Sequence, residues 1–300
     1  MSIRVCIVLC TKDGGKYLAQ QLDSLTMSSI ELDIYVNDDN STDNTLKILK
    51  KFSHKIKQVT ERNYGSAAKN FIGTLQSIKN DYDFYAFCDQ DDIWHENKIE
   101  LALDEISKKP QTEPSLYCSR TKLVDENGRA IGYSPNFKKI PCFQNALVQS
   151  IAGGNTMLFN KRTKELLDCV DISKKIVSHD WLTYLLVSSQ NGYIYYDAIP
   201  HIEYRQHSKN IIGSNNNFFA KLKRLYLLLS GSFSNWTDSN IKQIENLSIP
   251  DKNLNILNQF KKIKSDRLID RINGLKNSGA FRQHFFSDIM LFLATIFKKL

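Results

Sequence analysis

Three clusters of polar residues follow apolar stretches in the first third of the chain, and two of them are dominated by carboxylates. The clusters are Thr11-Lys12-Asp13, Asp38-Asp39 and Asp89-Gln90-Asp91-Asp92. Carboxylates can accept hydrogen bonds from ribose hydroxyls, and they can hold a hard divalent cation through oxygen. Such a cation can neutralise the charge of a diphosphate leaving group. The pattern therefore indicates a nucleotide site that uses Mg²⁺ or Mn²⁺.

The glycine-rich motifs that bind phosphate in other proteins are missing. The chain has no GxGxxG after its first apolar stretch and no GxxxxGK[ST], which argues against a dinucleotide dehydrogenase and a P-loop NTPase. Asp13-Gly14-Gly15-Lys16 contains two glycines, but their spacing fits neither motif. The negative charge of the phosphate groups of a bound nucleotide would therefore be neutralised mainly by the metal.

Alternating strands and helices must position these clusters. Residues 3–10 are almost continuously apolar and β-branched, which is typical of a strand buried on both faces of a parallel sheet. The same patterns predict further strands and intervening helices: strands at 31–39, 55–60 and 83–88, and helices at 16–27, 66–78 and 95–108, with another helix after Ser41-Thr42. This alternation predicts an open α/β sheet, in which ligands bind beyond the carboxyl ends of the strands.

The pattern changes after Pro114. Two short strands are predicted around the turn Glu126-Asn127-Gly128, and a glycine-rich segment leads into a strand at 151–160. Ser178-His179-Asp180 precedes a predicted helix. From about residue 216 onward the signal is helical, with breaks near Gly231, Pro250 and Gly279.

The net charge of +8 is concentrated at the C-terminal end. Residues 216–300 contain 14 Lys/Arg and 6 Asp/Glu, whereas residues 1–215 contain 26 of each kind. In this tail, Phe218–Leu229 combines apolar residues at helical spacing with Lys221, Lys223 and Arg224, and the apolar residues of 285–297 are followed by Lys298-Lys299. A basic tail indicates an anionic partner. A membrane surface and packing on the core are both open interpretations, and nucleic acid is disfavoured because no nucleic-acid-binding motif accompanies the charge.

Cysteine usage and hydropathy favour a cytoplasmic protein. The six cysteines form no CxxC pair, so reduced thiols are expected. The first apolar stretch ends at Thr11-Lys12-Asp13 without a cleavage site typical of a secretion signal. The longest apolar run near the C-terminus, Ile289–Phe297, is far shorter than the roughly 20 residues that span a bilayer.

Several segments resemble the family 2 glycosyltransferases. The nucleotide-sugar half of that family is similar to VLCTKDGGKYLAQQLDSL, VNDDNSTDNTLKIL, ERNYGSAAKNF and FCDQDDIWHENKI, in this order and spacing. The later HDWLTYLLVSSQNGYIYYDAIPHIEYRQHSKNIIG resembles a rhamnosyltransferase-like branch of the family. The resemblance covers residues 3–213. It implies a GT-A fold, which is Rossmann-like with a mostly parallel sheet flanked by helices, and the chain adds a C-terminal helical extension.

The resemblance implies a domain organisation and an activity. Residues 1–215 would form the GT-A domain, with a nucleotide-sugar-binding half at 1–110 and an acceptor half at 111–215; residues 216–300 would form the basic helical extension. The implied activity is an inverting transfer of a sugar, with rhamnose as a candidate, from a nucleoside-diphosphate sugar. The expected acceptor is a hydroxyl of a growing, lipid-linked cell-surface polysaccharide, reached from the inner face of the cell membrane.

The resemblance also assigns roles on the donor side. Thr11 and Asp39 match positions that contact the nucleobase and ribose, and Asp38 would support their loop. Asp89 lies nearer the ribose in the DxD-type loop and is also a candidate metal ligand. Arg62 is a further candidate for contacting the phosphate or base.

The remaining roles concern the metal and the proton. Asp91 matches the metal ligand of the DxD pair, and His207 is a candidate ligand to the diphosphate or the metal. Asp180 matches the catalytic base that takes a proton from the acceptor hydroxyl. The family more often has Glu-Asp where this chain has His179-Asp180, which leaves the role of His179 open.

Two other functions remain as alternatives. A nucleotidyltransferase that makes a nucleotide sugar usually carries a glycine-rich loop with Arg or Lys after its first strand. The corresponding segment, 11–16, has two glycines and no arginine, which weighs against this function. A non-catalytic nucleotide-sugar-binding module is the other alternative, and the presence of Asp39, Asp89, Asp91 and Asp180 weighs against it.

Overall fold

The structure, a computed structural model, describes residues 3–79, 81–207 and 231–300. The strands in chain order are β1 (Val5–Thr11), β2 (Leu32–Asp38), β3 (Ile56–Thr60), β4 (Phe84–Cys88), β5 (Ile93–Trp94), β6 (Ser115–Ser119), β7 (Lys122–Val124), β8 (Ala130–Tyr133), β9 (Leu158–Asn160), β10 (Tyr193–Asp197) and β11 (Ile202–Arg205). The helices of the sheet-forming part are α1 (Leu18–Thr26), α2 (Thr45–Lys51), α3 (Ala67–Ser77), α4 (Lys98–Ile106), α5 (Phe143–Ala146), α6 (Lys161–Asp168) and α7 (His179–Ser189). They are followed by α8 (Ser232–Ile244), α9 (Asp251–Lys261), α10 (Leu268–Ser278) and α11 (Phe285–Ile296).

A seven-stranded sheet in the order β10-β6-β9-β4-β1-β2-β3 forms the centre of the molecule. Strand β1 is buried along its whole length and pairs in parallel with β2 and β4, as its apolar sequence predicts. The register sets Thr11 opposite Asp38, so the polar clusters that follow these strands meet at one edge. The mostly parallel α/β architecture is confirmed. One strand, β9, runs antiparallel between β4 and β6.

A second, four-stranded sheet in the order β5-β11-β7-β8 lies beside the acidic loop. The predicted hairpin around residues 126–128 is present as β7 and β8. Strand β5 begins directly after Asp92 and pairs antiparallel with β11. The small sheet therefore anchors the loop that carries Asp89, Asp91 and Asp92 at its C-terminal end.

Helices cover both faces of the main sheet. The apolar sides of α1, α2 and α4 pack on one face, while α3, α5, α6 and α7 pack on the other. The six cysteines, all within the described ranges, are free thiols, and four of them are buried in strands.

The C-terminal helices pack on the same face as α7. Ile244, Leu257 and Phe260 are fully buried within the core that contains α7. The amide of Asn253 donates to the backbone oxygen of Ser189 at 2.8 Å. These contacts support the core-packing interpretation for the inner faces of the helices. The stretch Phe218–Leu229 lies outside the described residues.

No helix in the described ranges is both long and apolar enough to cross a bilayer. This finding agrees with the short apolar runs of the sequence.

We expect Phe260→Ala to lower the free energy of unfolding by about 3–5 kcal/mol, since it removes a fully buried ring from the core. Urea denaturation would measure the loss. Leu254→Ala on the same helix is the matched control, because that side chain is 42% exposed. Equal stability of the Phe260 variant and the control would contradict the docking of α9 on the core.

Candidate functional site

The loops after β1 and β2 are joined by direct hydrogen bonds. The Thr11 hydroxyl donates to Asp38 Oδ1 at 2.6 Å, and the backbone N–H of Ser41 donates to Asp38 Oδ2 at 2.8 Å. The backbone N–H of Asp39 donates to the carbonyl of Thr11 at 2.9 Å. Both oxygens of Asp38 are thus used within the protein, which suits it to support this edge rather than to contact a ligand.

Asp39 is fixed by the segment that follows β3. Its Oδ1 accepts from the backbone N–H groups of Tyr64, at 2.6 Å, and Gly65, at 3.2 Å. Its Oδ2 accepts no bond from any residue that the structure describes, and can therefore accept from a ligand hydroxyl. Arg62 lies at the same edge, because its backbone N–H donates to the side chain of Asn37 at 3.0 Å. Its own side chain is exposed.

Two residues with left-handed backbone conformations lie at this edge. Asp13 has a φ of 47° and Asn40 a φ of 60°, a region that is costly for residues other than glycine. The backbone N–H of Thr42 donates to Asp13 Oδ1 at 2.7 Å, and Lys12 Nζ donates to the Asn40 carbonyl at 2.9 Å. These bonds hold the two loops together against the strain.

The loop after β4 contacts the segment after β11. Asp91 Oδ2 lies 2.8 Å from His207 Nε2, and the His207 ring stacks on Tyr17 with centroids 5.2 Å apart. Asp91 and His207, which are 116 positions apart in the chain, are therefore in contact. The expectation that both residues bind the metal requires this contact. Asp89 lies in the same loop and is half-buried.

Asp92, the last acid of the loop, is fully buried. Its Oδ2 accepts from the Asn155 side chain at 2.6 Å, and its Oδ1 accepts from the backbone N–H of Arg205 at 3.2 Å. Burial and the charges of Asp91 and Asp89 raise the pKa of Asp92 well above its usual range. Asp92 therefore holds the loop in place instead of binding a ligand.

A buried arginine fastens the acidic loop to three other elements. Arg205 is 2% exposed. Its guanidinium donates to the carbonyls of Asp91 and Glu126 and to the side chain of Gln20, at 3.1, 3.0 and 2.7 Å. It also stacks over the Tyr17 ring at 4.6 Å. The sequence did not assign a role to this residue or to Asn155, because their partners are distant in the chain, although Arg205 lies in the segment that resembles the rhamnosyltransferase-like branch and Asn155 in the predicted glycine-rich segment.

The start of α7 affects the electrostatics of the acidic loop at Asp89. Burial, then the charges of Asp91 and Asp180, raise the pKa of Asp89 well above its usual range. Asp180 lies 91 positions further along the chain, in the first turn of α7, yet its charge contributes to the raised pKa of Asp89. The charges of Asp91 and Asp180 therefore both act on Asp89, and a cation bound here would relieve this repulsion.

The residues present fit a divalent metal shared with a substrate. The carboxylate of Asp91 and the imidazole of His207 lie 2.8 Å apart, and the same loop offers a second carboxyl group at Asp89. Among the described residues, no three His, Cys, Asp or Glu side chains form a preformed cage. Mg²⁺ is commonly held by one or two carboxylates together with substrate phosphates and water, so a full protein cage is not needed.

Asp180 is held by its own helix and by the neighbouring tryptophan. Its Oδ1 accepts from the backbone N–H of Trp181 at 2.7 Å, and Trp181 Nε1 donates to the carbonyl of Ala146 at 2.7 Å. Trp181 is 5% exposed and Trp94 is equally buried. Both tryptophans therefore pack in the core, and neither forms an exposed platform for a sugar ring.

His179 is enclosed by aromatic rings and a glycine. Its ring stacks on Phe71 with centroids 4.0 Å apart and meets Phe87 edge-on at 4.9 Å. A Cβ at Gly154 would lie 2.0 Å from His179 Nε2, and this buried nitrogen has no hydrogen-bond partner among the described residues. Burial lowers the pKa of His179 to about 4. His179 is thus a neutral packing residue next to Asp180.

Comparisons with known proteins agree with this geometry. The model of the family described as Glycosyl transferase family 2 matches residues 6–167, more than half of the chain. A dTDP-rhamnosyl transferase, RfbG of Shigella flexneri, is 28% identical over 266 residues, covering 82% of this chain and 86% of that protein. An uncharacterised glycosyltransferase of Rickettsia typhi is 25% identical over 252 residues, covering 80% of this chain and 75% of that protein.

Solved structures share the fold. The crystal structure of S. aureus TarS 1–349 in complex with UDP-GlcNAc has a TM-score of 0.58 at 18% identity, covering 92% of this chain and 80% of that chain. The same protein in complex with UDP has a TM-score of 0.56 at 18% identity, covering 99% and 89%. At this identity the likeness concerns the fold alone.

We predict that His179 makes stability depend on pH. Below about pH 6.5 His179 becomes protonated in the unfolded chain, whereas in the folded chain it stays neutral until the pH approaches 4. The free energy of unfolding therefore decreases as the pH is lowered from 6.5 towards 4. His179→Gln removes this contribution. The free energy of unfolding of the variant, relative to wild type, should rise by about 2 kcal/mol between pH 7 and pH 5.

Denaturant unfolding at several pH values measures this difference. His54→Gln is the matched control, because His54 is exposed and should follow wild type at every pH. A His179 variant that follows wild type in the same way would show that the histidine is not buried as described.

Proposed function

The chain belongs to glycosyl transferase family 2, and we propose that it is an inverting, metal-dependent rhamnosyltransferase. In this proposal it moves rhamnose from dTDP-rhamnose to a hydroxyl of a growing, lipid-linked cell-surface polysaccharide. The donor is suggested by the Shigella flexneri relative, whose similarity extends over most of both chains. Nucleotide sugars are made in the cytoplasm, so the enzyme would work at the inner face of the cell membrane.

One observation carries the proposal. His179, the neighbour of Asp180, meets the ring of Phe87 edge-on at 4.9 Å, and Phe87 lies two residues before Asp89. The charge of Asp180 accordingly contributes to the raised pKa of Asp89. A donor held at Asp89 and Asp91 would therefore present its anomeric carbon toward a carboxylate that comes from a separate element, α7. A direct displacement needs this arrangement, with the leaving diphosphate on one side and a base on the other.

The donor side would be bound by residues at the edge of the main sheet. Asp39 would accept hydrogen bonds from ribose hydroxyls, and Thr11 would face the nucleobase beside it. Arg62, whose side chain is exposed next to this edge, would meet phosphate or base. Asp91 and His207 would hold Mg²⁺ or Mn²⁺, with Asp89 between them and the ribose. When bound, the metal stabilises the charge that develops on the diphosphate.

Asp180 would act on the acceptor. As the acceptor oxygen attacks the anomeric carbon, the bond from that carbon to the diphosphate breaks and the configuration inverts. The acceptor hydroxyl must lose its proton during the attack, and Asp180 takes it as a general base. The bond from Trp181 N–H to Oδ1 orients the carboxylate, so Oδ2 is the atom that receives the proton.

We expect donor binding to need metal. In a thermal-shift assay, dTDP-rhamnose at a hundredfold excess over its Kd should add about 2.7 kcal/mol to the free energy of unfolding. The shift should require Mg²⁺ or Mn²⁺ and disappear in chelator or in Asp91→Asn. Asp104→Asn, an exposed carboxylate of α4, is the matched control. An undiminished shift in chelator would exclude metal dependence, and a shift with UDP-GlcNAc alone would exclude the proposed donor.

We expect Asp180→Asn to separate binding from transfer. The amide keeps the shape of the carboxylate but cannot take a proton, so turnover should fall on the order of 10²- to 10⁴-fold. The thermal shift with donor and metal should stay as in wild type. Transfer rates measured with isolated lipid-linked acceptor test this, with Asp104→Asn again as control. Wild-type turnover in the Asn variant would assign the base to another residue.

A further inference from the structure

Helix α11 is apolar on two opposite faces. Its inner face is buried in the core, where Leu291 and Ala294 are 2% exposed. Its outer face also consists of apolar residues, all of them exposed: Phe285 (73%), Phe286 (80%), Ile289 (40%), Phe292 (44%) and Leu293 (37%), followed by Phe297 (63%). We refer to these six residues as the outer face of α11.

The spacing of these residues makes them one continuous surface. Positions 285, 289, 292 and 293 recur at intervals of three and four, which places their side chains on one stripe of a helix. A helix on the surface of a water-exposed protein ordinarily carries polar residues on this stripe. A contiguous exposed apolar patch marks an interaction surface.

The loop before α5, which carries Ile140, extends the outer face of α11. Ile140 is 83% exposed, the most exposed large apolar side chain in the described ranges. Its neighbour Lys139 is tied to the start of the helix, since its backbone N–H donates to Gln283 Oε1 at 3.0 Å and its ammonium bonds Asp288 at 2.7 Å. Ile140 is therefore held next to the first turn of α11.

We propose that the outer face of α11 and Ile140 insert into the surface of an anionic lipid bilayer. This inference deepens the proposed function and rests on its lipid-linked acceptor. The charges around the patch favour an anionic bilayer as its partner. Lys138 and Lys299, both exposed, flank the apolar patch at opposite ends. Asp288, the acid of the helix, is already engaged by Lys139. An apolar stripe with basic residues at its borders matches a bilayer with anionic headgroups.

A second copy of this chain fits less well. A two-fold contact through the same patch would bring the basic residues of both copies close together. Residues 231–300, which form this part of the structure, contain 11 Lys/Arg and 6 Asp/Glu, so self-association through this region would meet repulsion, whereas an anionic bilayer would be attracted.

The patch is connected to the acceptor side of the site. Arg282, just before α11, donates to the carbonyl of Val148 at 2.8 Å. Two residues earlier, the carbonyl of Ala146 accepts from Trp181 Nε1, and Trp181 in turn donates to Asp180. A bilayer at the outer face of α11 would therefore lie against the half of the enzyme that holds the base, where a lipid-linked acceptor has to enter.

Vesicle co-sedimentation of the full chain tests the proposal. Vesicles of phosphatidylglycerol mixed with phosphatidylcholine are compared with phosphatidylcholine alone, at low and high salt. The combined Phe285→Ser and Phe286→Ser variant should partition at least about tenfold less to the anionic vesicles. The matched control combines Met27→Ser and Ile199→Ser, two side chains that are 64% and 63% exposed elsewhere, and should partition as wild type.

A charge variant addresses the basic border. Lys138→Gln combined with Lys299→Gln should weaken partitioning to anionic vesicles and reduce its dependence on salt, with little effect on neutral ones. Unaltered partitioning of the phenylalanine variant, or no partitioning of wild type, would overturn the proposal. A wild-type dimer that the phenylalanine variant converts to a monomer, without a change in vesicle partitioning, would assign the patch to a second copy.

Donor hydrolysis, measured without vesicles on all these proteins, keeps the two proposals apart. Wild-type rates in every variant, together with the loss of vesicle binding, support the membrane face. If no protein hydrolyses a nucleotide sugar while the phenylalanine variant still loses vesicle binding, the proposed function fails and the membrane face stands. Thermal unfolding confirms that the substituted surface residues leave the fold intact.

Discussion

Mutual repulsion among the carboxylates at the edge of the main sheet is the constraint around which the rest of the site is built. Asp89 and Asp92 both have raised pKa values because burial and neighbouring acids oppose their ionisation. Such a cluster costs free energy unless polar groups and a cation compensate for it. The protein supplies the polar groups, and a donor-bound metal would supply the cation.

The small sheet supplies several of the contacts that hold this cluster in place. Strand β11 delivers Arg205, whose guanidinium binds the carbonyl of Asp91 and whose backbone N–H binds Asp92. Lys98 lies behind the loop with its ammonium 3.5 Å from the centre of the Trp94 ring. Burial lowers the pKa of Lys98 to about 7, although the charge of Asp92 acts in the opposite direction. Arg205 thus places positive charge against the loop, whereas burial disfavours the charged form of Lys98.

Sequence patterns predicted those parts of the site that are encoded locally. Strands β1 and β4 are short apolar runs, β2 is rich in apolar residues, and polar clusters lie at or directly after their C-terminal ends, so parallel pairing alone brings Thr11, Asp38 and the acidic loop to one edge. The antiparallel insertion of β9 and the partners of Arg205 depend on residues far apart in the chain, for which periodicity carries no signal. His179 shows the same limit: its position suggested chemistry, whereas Phe71, Phe87 and Gly154 make it a packing residue.

The distribution of charge is consistent with the proposed transfer between a nucleotide sugar and a lipid-linked acceptor. An acidic cleft that binds metal and a nucleotide sugar would be repelled by an anionic bilayer within a Debye length, about 8 Å at physiological salt. Residues 1–215 have no net charge with which to overcome that repulsion, and the +8 lies entirely in residues 216–300. The C-terminal helices dock on the α7 face of the core through Phe260 and Leu257. In the proposed function, this docking would separate attraction to the membrane from the cleft in sequence, and would keep it on the face of the sheet that carries Asp180.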